Sequence, residues 1–444
     1  MYPIFKLFTL LLFTICISPA FSQQNTRSPY SLFGVGLLRY DGFADNAANG
    51  HNGFSYRHES NFSFANPASL SALKNSAFNT GAYVDMGRFK TTKFKQDFSN
   101  AGFNYIALGV PVAKWKSGLA FGLLPYSDVG YNILNVKDSA GVSVRNEFEG
   151  SGGLSKFNVG IGTNVWKYLS LGANYSFIFG QLDESQRRRY PGNRFMTSYE
   201  DKSDIYLKGS HLDLGLHLHS VSDTGLSWVL GVTLSGNTML KGERNRVVYT
   251  FTEVFDGTPL APRDTIINEQ AVGIKVSLPP ALNFSFTIGN HEKWQATAGY
   301  GKTMWSKYKN MYGDNSGFLD DQNYSLGFFI CPVPHFDNAL KTNKAKNYFK
   351  SIRYTAGFHH NAGYISAFNN KIAENGLSLG LGFPFTRRHT KPDGTKVLIT
   401  SRIFLTGEFV RRGTLDNNLI QEDFFKLTLG LNLADSWFKK RLFN

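Results

Sequence analysis

From Ser76 onward, apolar and polar residues alternate with a period of two in one segment after another. In the segment 205–221, for example, every second position from Leu212 to Leu218 is leucine, and the positions between are polar or glycine. Such alternation predicts β-strands with one apolar and one polar face. The apolar faces end in aromatic residues, and the polar faces are mostly small and uncharged. This pattern is typical of a membrane barrel with lipid outside and a polar lumen.

About fourteen such segments follow one another along the chain. They begin near residues 76, 100, 117, 152, 167, 205, 225, 279, 293, 322, 350, 375, 397 and 422. The long connections, expected on the external side, are 128–151, 182–204, 239–278 and 307–321. One further long connection, 332–349, falls on the periplasmic side and breaks that rule. The sequence therefore predicts an all-β fold, a transmembrane antiparallel β-barrel of about 14 strands over residues 76–434.

The first 22 residues have the features of a cleaved secretory signal. Lys6 precedes an apolar run from Leu7 to Ile17, and small residues follow at Ala20 and Ser22. The run is too short to cross a membrane as a helix. Export together with a barrel predicts location in the bacterial outer membrane. After removal of the signal one cysteine remains in the sequence, so an internal disulfide is not expected.

Residues 23–75 show little alternation, yet they are too apolar for a disordered linker. They are rich in glycine and aromatic residues, which predicts a hatch packed inside the barrel. Phe62 and Phe64 are candidates to line an apolar ligand pocket between the hatch and the wall. At the other end, residues 435–444 are expected to form a basic aromatic tail.

Lys and Arg number 47 against 33 Asp and Glu, a formal net charge of +14. The basic residues lie between strands and form no single face, so we expect contact with anionic lipid or lipopolysaccharide and not with nucleic acid. Arg187, Arg188 and Arg189 fall in a predicted external loop. They are candidates to contact a ligand carboxylate or lipopolysaccharide phosphates. The alternative is a solvated run of loop charges.

Catalytic motifs such as Gly-x-Ser-x-Gly, His-Glu-x-x-His or a Walker loop do not occur, so neither an enzyme nor a cofactor is predicted. His211, His217 and His219 share one strand face and could ligate a metal. Since nothing completes a ligand set, they are interpreted as lumen-facing polar residues, and no metal site is predicted. Strand parity also places several charges in the lumen, where they would brace hatch and wall: Asp85, Lys156, Asp213, Arg353, Arg402, Glu408 and Lys426.

Several stretches resemble the FadL-type family of outer-membrane transporters for long-chain fatty acids and other hydrophobic compounds. The resembling stretches are Asn66-Pro67-Ala68, 121–130, 278–286, 352–358 and 377–383. The resemblance implies a fourteen-stranded barrel with Asn66, Pro67 and Ala68 in an internal hatch. It also implies uptake of a hydrophobic ligand, which leaves through a lateral opening at a kink in the third strand.

Pro125 suits that kink, because proline removes a hydrogen bond from the sheet. Gly122 and Gly130 leave room beside it. The alternative is that Pro125 merely ends the strand at the membrane interface.

The opening Ser28-Pro-Tyr-Ser-Leu-Phe-Gly34 is more similar to FadL-related barrels of bacteria that use type IX secretion. Some of those relatives bind secreted proteins or accompany other machinery. Two functions are therefore predicted as alternatives. The first is passive transport of hydrophobic small molecules such as long-chain fatty acids by way of a hatch and a lateral gate. The second is a plugged barrel that acts as partner or shuttle in an outer-membrane secretion or assembly complex.

Overall fold

A computed structural model describes residues 28–436 apart from short segments. These gaps are 113–115, 140–141, 192, 194, 221–224, 254–258, 291–292, 335–343, 368–369 and 391–395. The predicted signal and residues 437–444 of the predicted tail lie outside the described residues. Within the described part of the chain, the helices are all too short or too polar to cross a bilayer.

Fourteen antiparallel strands form the wall. They are β1 (Ser76–Lys90), β2 (Lys95–Val112), β3 (Ser117–Ser139), β4 (Val142–Trp166), β5 (Leu169–Arg189), β6 (Ser198–His219), β7 (Ser227–Ser235 and Thr238–Glu253), β8 (Pro259–Leu278 and Ala281–Asn290), β9 (Trp294–Thr303), β10 (Asp321–Ile330), β11 (Arg353–Asn361), β12 (Glu374–Thr390), β13 (Lys396–Gly413) and β14 (Gln421–Asp435). The last strand pairs with the first from Asp435 opposite Ser76 to Gln421 opposite Lys90, which closes the barrel. The predicted fold and strand number are confirmed.

The two faces of the wall divide as the alternation predicts. On β6, Leu212 and Leu214 are about half exposed on the outside, whereas Asp213 and His217 between and beside them are buried. The charges predicted for the lumen are likewise buried or, for Lys426, partly buried. An apolar outer face over a closed sheet is what lipid requires, since every backbone group finds a partner within the barrel.

The wall is not of even height. Strands β9, β10 and β11, here called the short wall, have 10, 10 and 9 residues. That is about the 9 to 11 residues needed to cross the hydrocarbon layer. Strands β3 to β8, here called the tall wall, are longer; β4 alone has 25 residues. The tall wall therefore continues beyond the membrane on the side predicted to be external.

The extra length of these strands means that three of the predicted external loops are wrong. Most of 128–151, 182–204 and 239–278 is strand, because β3 to β8 extend through those ranges. Above the membrane both faces of a strand meet water, so neither face needs to be apolar. Charged residues such as Arg145 and Glu147 therefore interrupt the apolar–polar alternation from which strands were predicted. The connection 304–320 does lie outside the strands. The connection before β11, predicted to be long, carries the helix α2 (Lys344–Ser351). A further α-helix among the described residues, α1 (Ala44–Ala48), lies in the N-terminal segment.

Residues 28–75, the hatch, lie inside the barrel. They form α1, two turns of 3-10 helix (Pro29–Leu32 and Pro67–Ala72) and the short strand Leu37–Leu38. Wall glycines let the hatch backbone touch the sheet. A Cβ at Gly231 would stand 2.0 Å from the Phe54 carbonyl oxygen. The abundance of glycine in the sequence thus reflects contact between hatch and wall as well as strand packing.

Candidate functional site

The wall has a lateral break between β2 and β3. These strands pair only from Ile106 opposite Leu123 to Val112 opposite Ser117. Beyond Leu123, β3 continues outward in register with β4 instead. The break begins beside Pro125, where the β3–β4 register shifts, and proline supplies no N–H for a neighbour. Pro125 lies inside β3 and not at its end, so the alternative that it merely ends the strand is wrong.

Glycines surround the break. Just beyond the register shift, Gly153 and Gly152 of β4 lie opposite Asp128 and Val129. Their φ angles are 149° and 103°, and a Cβ at Gly153 would lie 2.3 Å from the Ser127 carbonyl oxygen. Glycine tolerates this backbone, and the pair allows β4 to follow the shifted register. The two glycines predicted beside Pro125, Gly122 and Gly130, are both in close contact with hatch residues. A Cβ at Gly122 would lie 2.6 Å from the Phe64 ring, and the Gly130 N–H donates to the Ser31 hydroxyl at 3.0 Å.

The hatch fills the break. Leu37 and Leu38 pair antiparallel with Asp128 and Ser127 of β3. The Arg39 N–H donates to the Tyr126 carbonyl at 2.9 Å. The Ser127 hydroxyl donates to the Val35 carbonyl at 2.6 Å. The edge that β2 leaves is thus occupied by a strand of the hatch, held by backbone hydrogen bonds that can be broken without unfolding the wall.

A charged lock stands next to this strand. The Arg39 guanidinium forms an ion pair with Asp128 of β3 and donates to the hydroxyl of Tyr83 on β1. It also lies 4.5 Å from the centre of the Tyr83 ring. The two charged side chains are 13% and 4% exposed. Removing one partner of such a pair leaves the other charge buried, so the lock favours the closed break.

Behind the hatch strand lies a cavity of about 350 Å³. Its apolar lining comes from both hatch and wall and includes Leu37, Leu38, Phe54, Phe98, Trp305, Ile365 and Phe424. Its charged lining includes Arg39, Asp85, Asp128, Glu374, Glu408, Arg412, Glu422 and Lys426. The volume is in the range of small-molecule sites. Leu37 and Leu38 therefore line the cavity and also fill the break.

Phe62 and Phe64, predicted to line a ligand pocket, are packed elsewhere. They are almost completely buried in a cluster with Phe43 and Tyr105, with neighbouring ring centres about 5.3 Å apart. The cavity lining does not include them. The hatch phenylalanine that lines the cavity is Phe54, beside the hatch tyrosine Tyr40. Nothing in the local sequence distinguishes Phe54 from the other hatch phenylalanines.

Asn66, Pro67 and Ala68 anchor the hatch. The Asn66 side-chain oxygen accepts from the Ala68 N–H at 3.0 Å and caps the 3-10 helix. Its amide donates to the Phe54 carbonyl at 2.7 Å and reaches the carbonyls of Leu216 and Val232, each at 3.3 Å. One asparagine thereby joins two parts of the hatch to β6 and β7. A gating role for these three residues stays a prediction.

The predicted loop position of Arg187, Arg188 and Arg189 is wrong, because β5 extends to Arg189. Each arginine already has a neighbour in the tall wall. Arg187 Nε lies 3.1 Å from a Glu200 carboxylate oxygen, Arg189 lies 3.0 Å from Glu147, and Arg188 donates to Asn146 at 2.9 Å. Contact with ligand carboxylates or lipopolysaccharide stays a prediction and would compete with these partners.

The three histidines of β6 face the lumen, as predicted. His217 Nε2 lies 2.9 Å from the Phe54 carbonyl oxygen and His219 Nε2 lies 3.1 Å from the Ser170 hydroxyl. The hatch residue Arg57 also contacts Ser170, at 3.2 Å. Burial lowers the pKa of Arg57 to about 10. These contacts hold the hatch on β5 and β6.

A closed fourteen-stranded barrel, an internal plug and a break beside the third strand together make up the fold that FadL-type barrels share. Solved structures share this fold at low identity. The Pseudomonas putida toluene transporter TodX is 14% identical over 90% of this chain and 100% of its own, with a TM-score of 0.58. A Pseudomonas aeruginosa FadL homologue is 12% identical over 89% and 98%, with a TM-score of 0.55.

A third solved structure, the Ralstonia pickettii toluene transporter TbuX, is 11% identical over 89% of this chain and 99% of its own, with a TM-score of 0.54. The chain belongs to the BamG family, whose profile matches residues 4–444. Among curated proteins no match is found. The predicted FadL resemblance is confirmed in the fold.

Proposed function

We propose that this barrel passes hydrophobic small molecules from its outer mouth into the membrane through the break between β2 and β3. One observation carries the proposal: the strand Leu37–Leu38 forms both the plug of the break and a wall of the cavity. A ligand that displaces this strand would open its own path sideways. Two solved toluene transporters share this fold, which supports a transport function.

The lining of the cavity favours an amphipathic ligand with a charged end. An acyl chain would gain about 0.8 kcal/mol per buried CH₂ against Phe54, Phe98 and Leu38. A carboxylate would find the ammonium group of Lys426 in the same cavity. A pure hydrocarbon would leave the surrounding charges desolvated and without a new partner, which is unfavourable. A long-chain fatty acid therefore fits this chain better than toluene.

Uptake by the purified barrel in lipid vesicles tests the proposal. Asn323→Trp places an indole in the cavity and should slow uptake of a long-chain fatty acid several-fold. Leu326→Trp on the same strand faces lipid, with 57% of the side chain exposed, and should leave uptake unchanged. Equal rates in both variants, or no uptake by the folded wild-type protein, would contradict transport.

A second function is favoured by the tall wall: service as a partner in an outer-membrane assembly. The outer segment of β8, Pro259–Leu278, pairs with β7, and most of its side chains are exposed. Ile266 and Val272 are 61% and 76% exposed beyond the membrane. An ordered strand presented in this way can pair with another chain.

Cross-linking separates the two functions. A photo-reactive residue at Val272 should give one discrete adduct with another outer-membrane protein in cells, whereas the same residue at lipid-facing Leu326 should give none. Replacing residues 243–273 by a short turn should abolish the adduct and leave fatty-acid uptake unchanged. If instead uptake falls and the adduct is absent from wild type, the partner role is wrong.

A further inference from the structure

A turn of the hatch meets two wall strands at a cluster of metal-ligating side chains. His51 of the hatch lies beside His359 of β11 and Glu408 of β13, and one ligand atom from each lies within 4.8 Å of the others. His51 Nε2 is 2.5 Å from a Glu408 carboxylate oxygen. The two imidazole rings stand edge to face with centres 4.6 Å apart. His359 and Glu408 are 4% and 1% exposed.

Each member of the cluster has an unused polar atom. His51 Nδ1, His359 Nδ1 and the second Glu408 carboxylate oxygen are buried and lack a hydrogen-bond partner among the described residues. Leaving a buried polar atom unsatisfied is costly, and most such atoms in native proteins are paired. Three such unpaired atoms in one cluster, all on metal-ligating side chains, indicate that a bound ligand from outside the protein completes their coordination.

The backbone that delivers His51 is also unusual. His51 has φ of 59°, in the left-handed region that residues other than glycine rarely adopt. Gly50 before it has φ of 68°, and a Cβ there would stand 2.5 Å from the carbonyl oxygens of Leu326 and Phe358. The turn is thus pressed against the wall in a conformation that costs energy. Strained backbone of this kind is concentrated at functional sites.

We propose that His51, His359 and Glu408 bind one divalent transition-metal ion of the Zn²⁺ type. Two imidazoles and a carboxylate are a ligand set that zinc takes, whereas Ca²⁺ and Mg²⁺ prefer oxygen ligands alone. Zinc holds such ligands at about 2.0 to 2.2 Å, so rotation of the side chains must draw the three atoms together. All three residues border the cavity, from which the ion can enter and a water can complete the coordination.

The ion would act as a latch. It joins the hatch to β11 and β13, whereas the Arg39 lock joins it to β1 and β3. The metal site is independent of what the barrel transports or binds, so its test needs no transport measurement.

Cobalt binding to the purified full chain tests the site, with Co²⁺ as the probe because its visible absorption reports coordination. The protein carries a histidine-free tag and is first stripped with a chelator. We expect one saturable Co²⁺ per chain, displaced by Zn²⁺. His51→Gln, His359→Gln and Glu408→Gln should each weaken binding about 100-fold or more, beyond the 10- to 100-fold typical of lost supporting contacts. His360→Gln, the next residue on β11, should bind as wild type.

Folding is checked for every variant by heat-modifiable migration on gels, and Zn²⁺ should raise the unfolding temperature of wild type and His360→Gln but not of the ligand variants. Folded wild-type protein that shows no saturable Co²⁺ binding would overturn the proposal. Equal Co²⁺ affinity in wild type and in folded Glu408→Gln or His51→Gln would do the same.

Discussion

The tall wall and the short wall close the same barrel but build its outer mouth in opposite ways. In the tall wall the sheet itself continues outward, and most side chains of its outermost strand, residues 262–275, are exposed. In the short wall the strands stop near the membrane and their connections fold inward. Trp305, Tyr308 and Phe318 from the connection 304–320 are buried there, and Tyr364 stacks on Trp305 with ring centres 3.9 Å apart.

The comparison shows that the buried packing at the outer mouth lies on the side of the short wall. The short wall closes the mouth with an aromatic core that also borders the cavity through Trp305 and Tyr364. The outer strands of the tall wall present an exposed surface, which is better suited to binding a partner protein than a small ligand. Substitutions in the short-wall mouth should therefore disturb stability and ligand access, and substitutions at the tip of the tall wall should disturb neither.

The largest expected effect is at Trp305. Trp305→Ala removes a side chain that is 2% exposed from the mouth cluster and should lower the free energy of unfolding by about 3 to 5 kcal/mol. Val272→Ala in the tall wall should change it by less than about 0.5 kcal/mol. Urea titration followed by gel mobility measures both. Similar losses in the two variants would remove the distinction between the walls.

Arg39→Ala comes next, because it leaves Asp128 buried without its ion pair at the start of the tall wall. We expect a loss of about 3 kcal/mol, the lower end for a broken buried pair since Arg39 is partly exposed. The double variant Arg39→Ala with Asp128→Ala should lose less than Arg39→Ala alone. Thermal unfolding of the three proteins checks this order, and additive losses would argue against a coupled lock.

A smaller effect is expected where the hatch touches the tall wall. Gly231→Ala brings a Cβ to 2.0 Å from the Phe54 carbonyl oxygen and should cost about 1 to 3 kcal/mol through overpacking. Gly236→Ala, in the interruption of β7, meets its nearest atom at 3.7 Å and should be close to neutral. Limited proteolysis of the hatch in the two folded variants supplies the readout. Equal protection would show that the hatch does not rest on this face.

The smallest effect on the barrel is expected from shortening the tall wall itself. Replacing residues 243–273 by a turn leaves Ser227–Ser235 paired with Ala281–Asn290, so the barrel stays closed. The gel mobility of folded protein and its unfolding temperature should stay near wild type. A barrel that fails to fold without this hairpin would show that the outer sheet is structural and not a surface for a partner.

Much of this architecture could be predicted from the sequence, because lipid imposes a regular alternation on every membrane-crossing strand. The same reasoning missed the height of the tall wall, since strands above lipid lose that constraint and resemble polar loops. The kink in the third strand was implied by the family resemblance, and Pro125 was assigned to it because proline removes a hydrogen bond from a sheet. The contact between His51 and Glu408 could not be predicted from the sequence, because the two residues lie 357 positions apart and only the fold places the hatch against β13.

A disulfide across the break tests the central claim most directly, namely that Leu37–Leu38 must move for a ligand to pass. Leu38→Cys with Ser127→Cys joins directly opposed residues, whose Cα separation in a sheet, about 4.5 to 5.5 Å, suits a disulfide. Cys331→Ala removes the remaining thiol of the barrel. Leu405→Cys with Leu429→Cys links two lipid-facing neighbours that are already paired and is the control.

The account predicts that the oxidised hatch-to-β3 protein stops taking up fatty acid, that reduction restores uptake, and that the control pair has no effect. Unchanged uptake in fully oxidised protein would contradict it, because the ligand would then reach the membrane by another path.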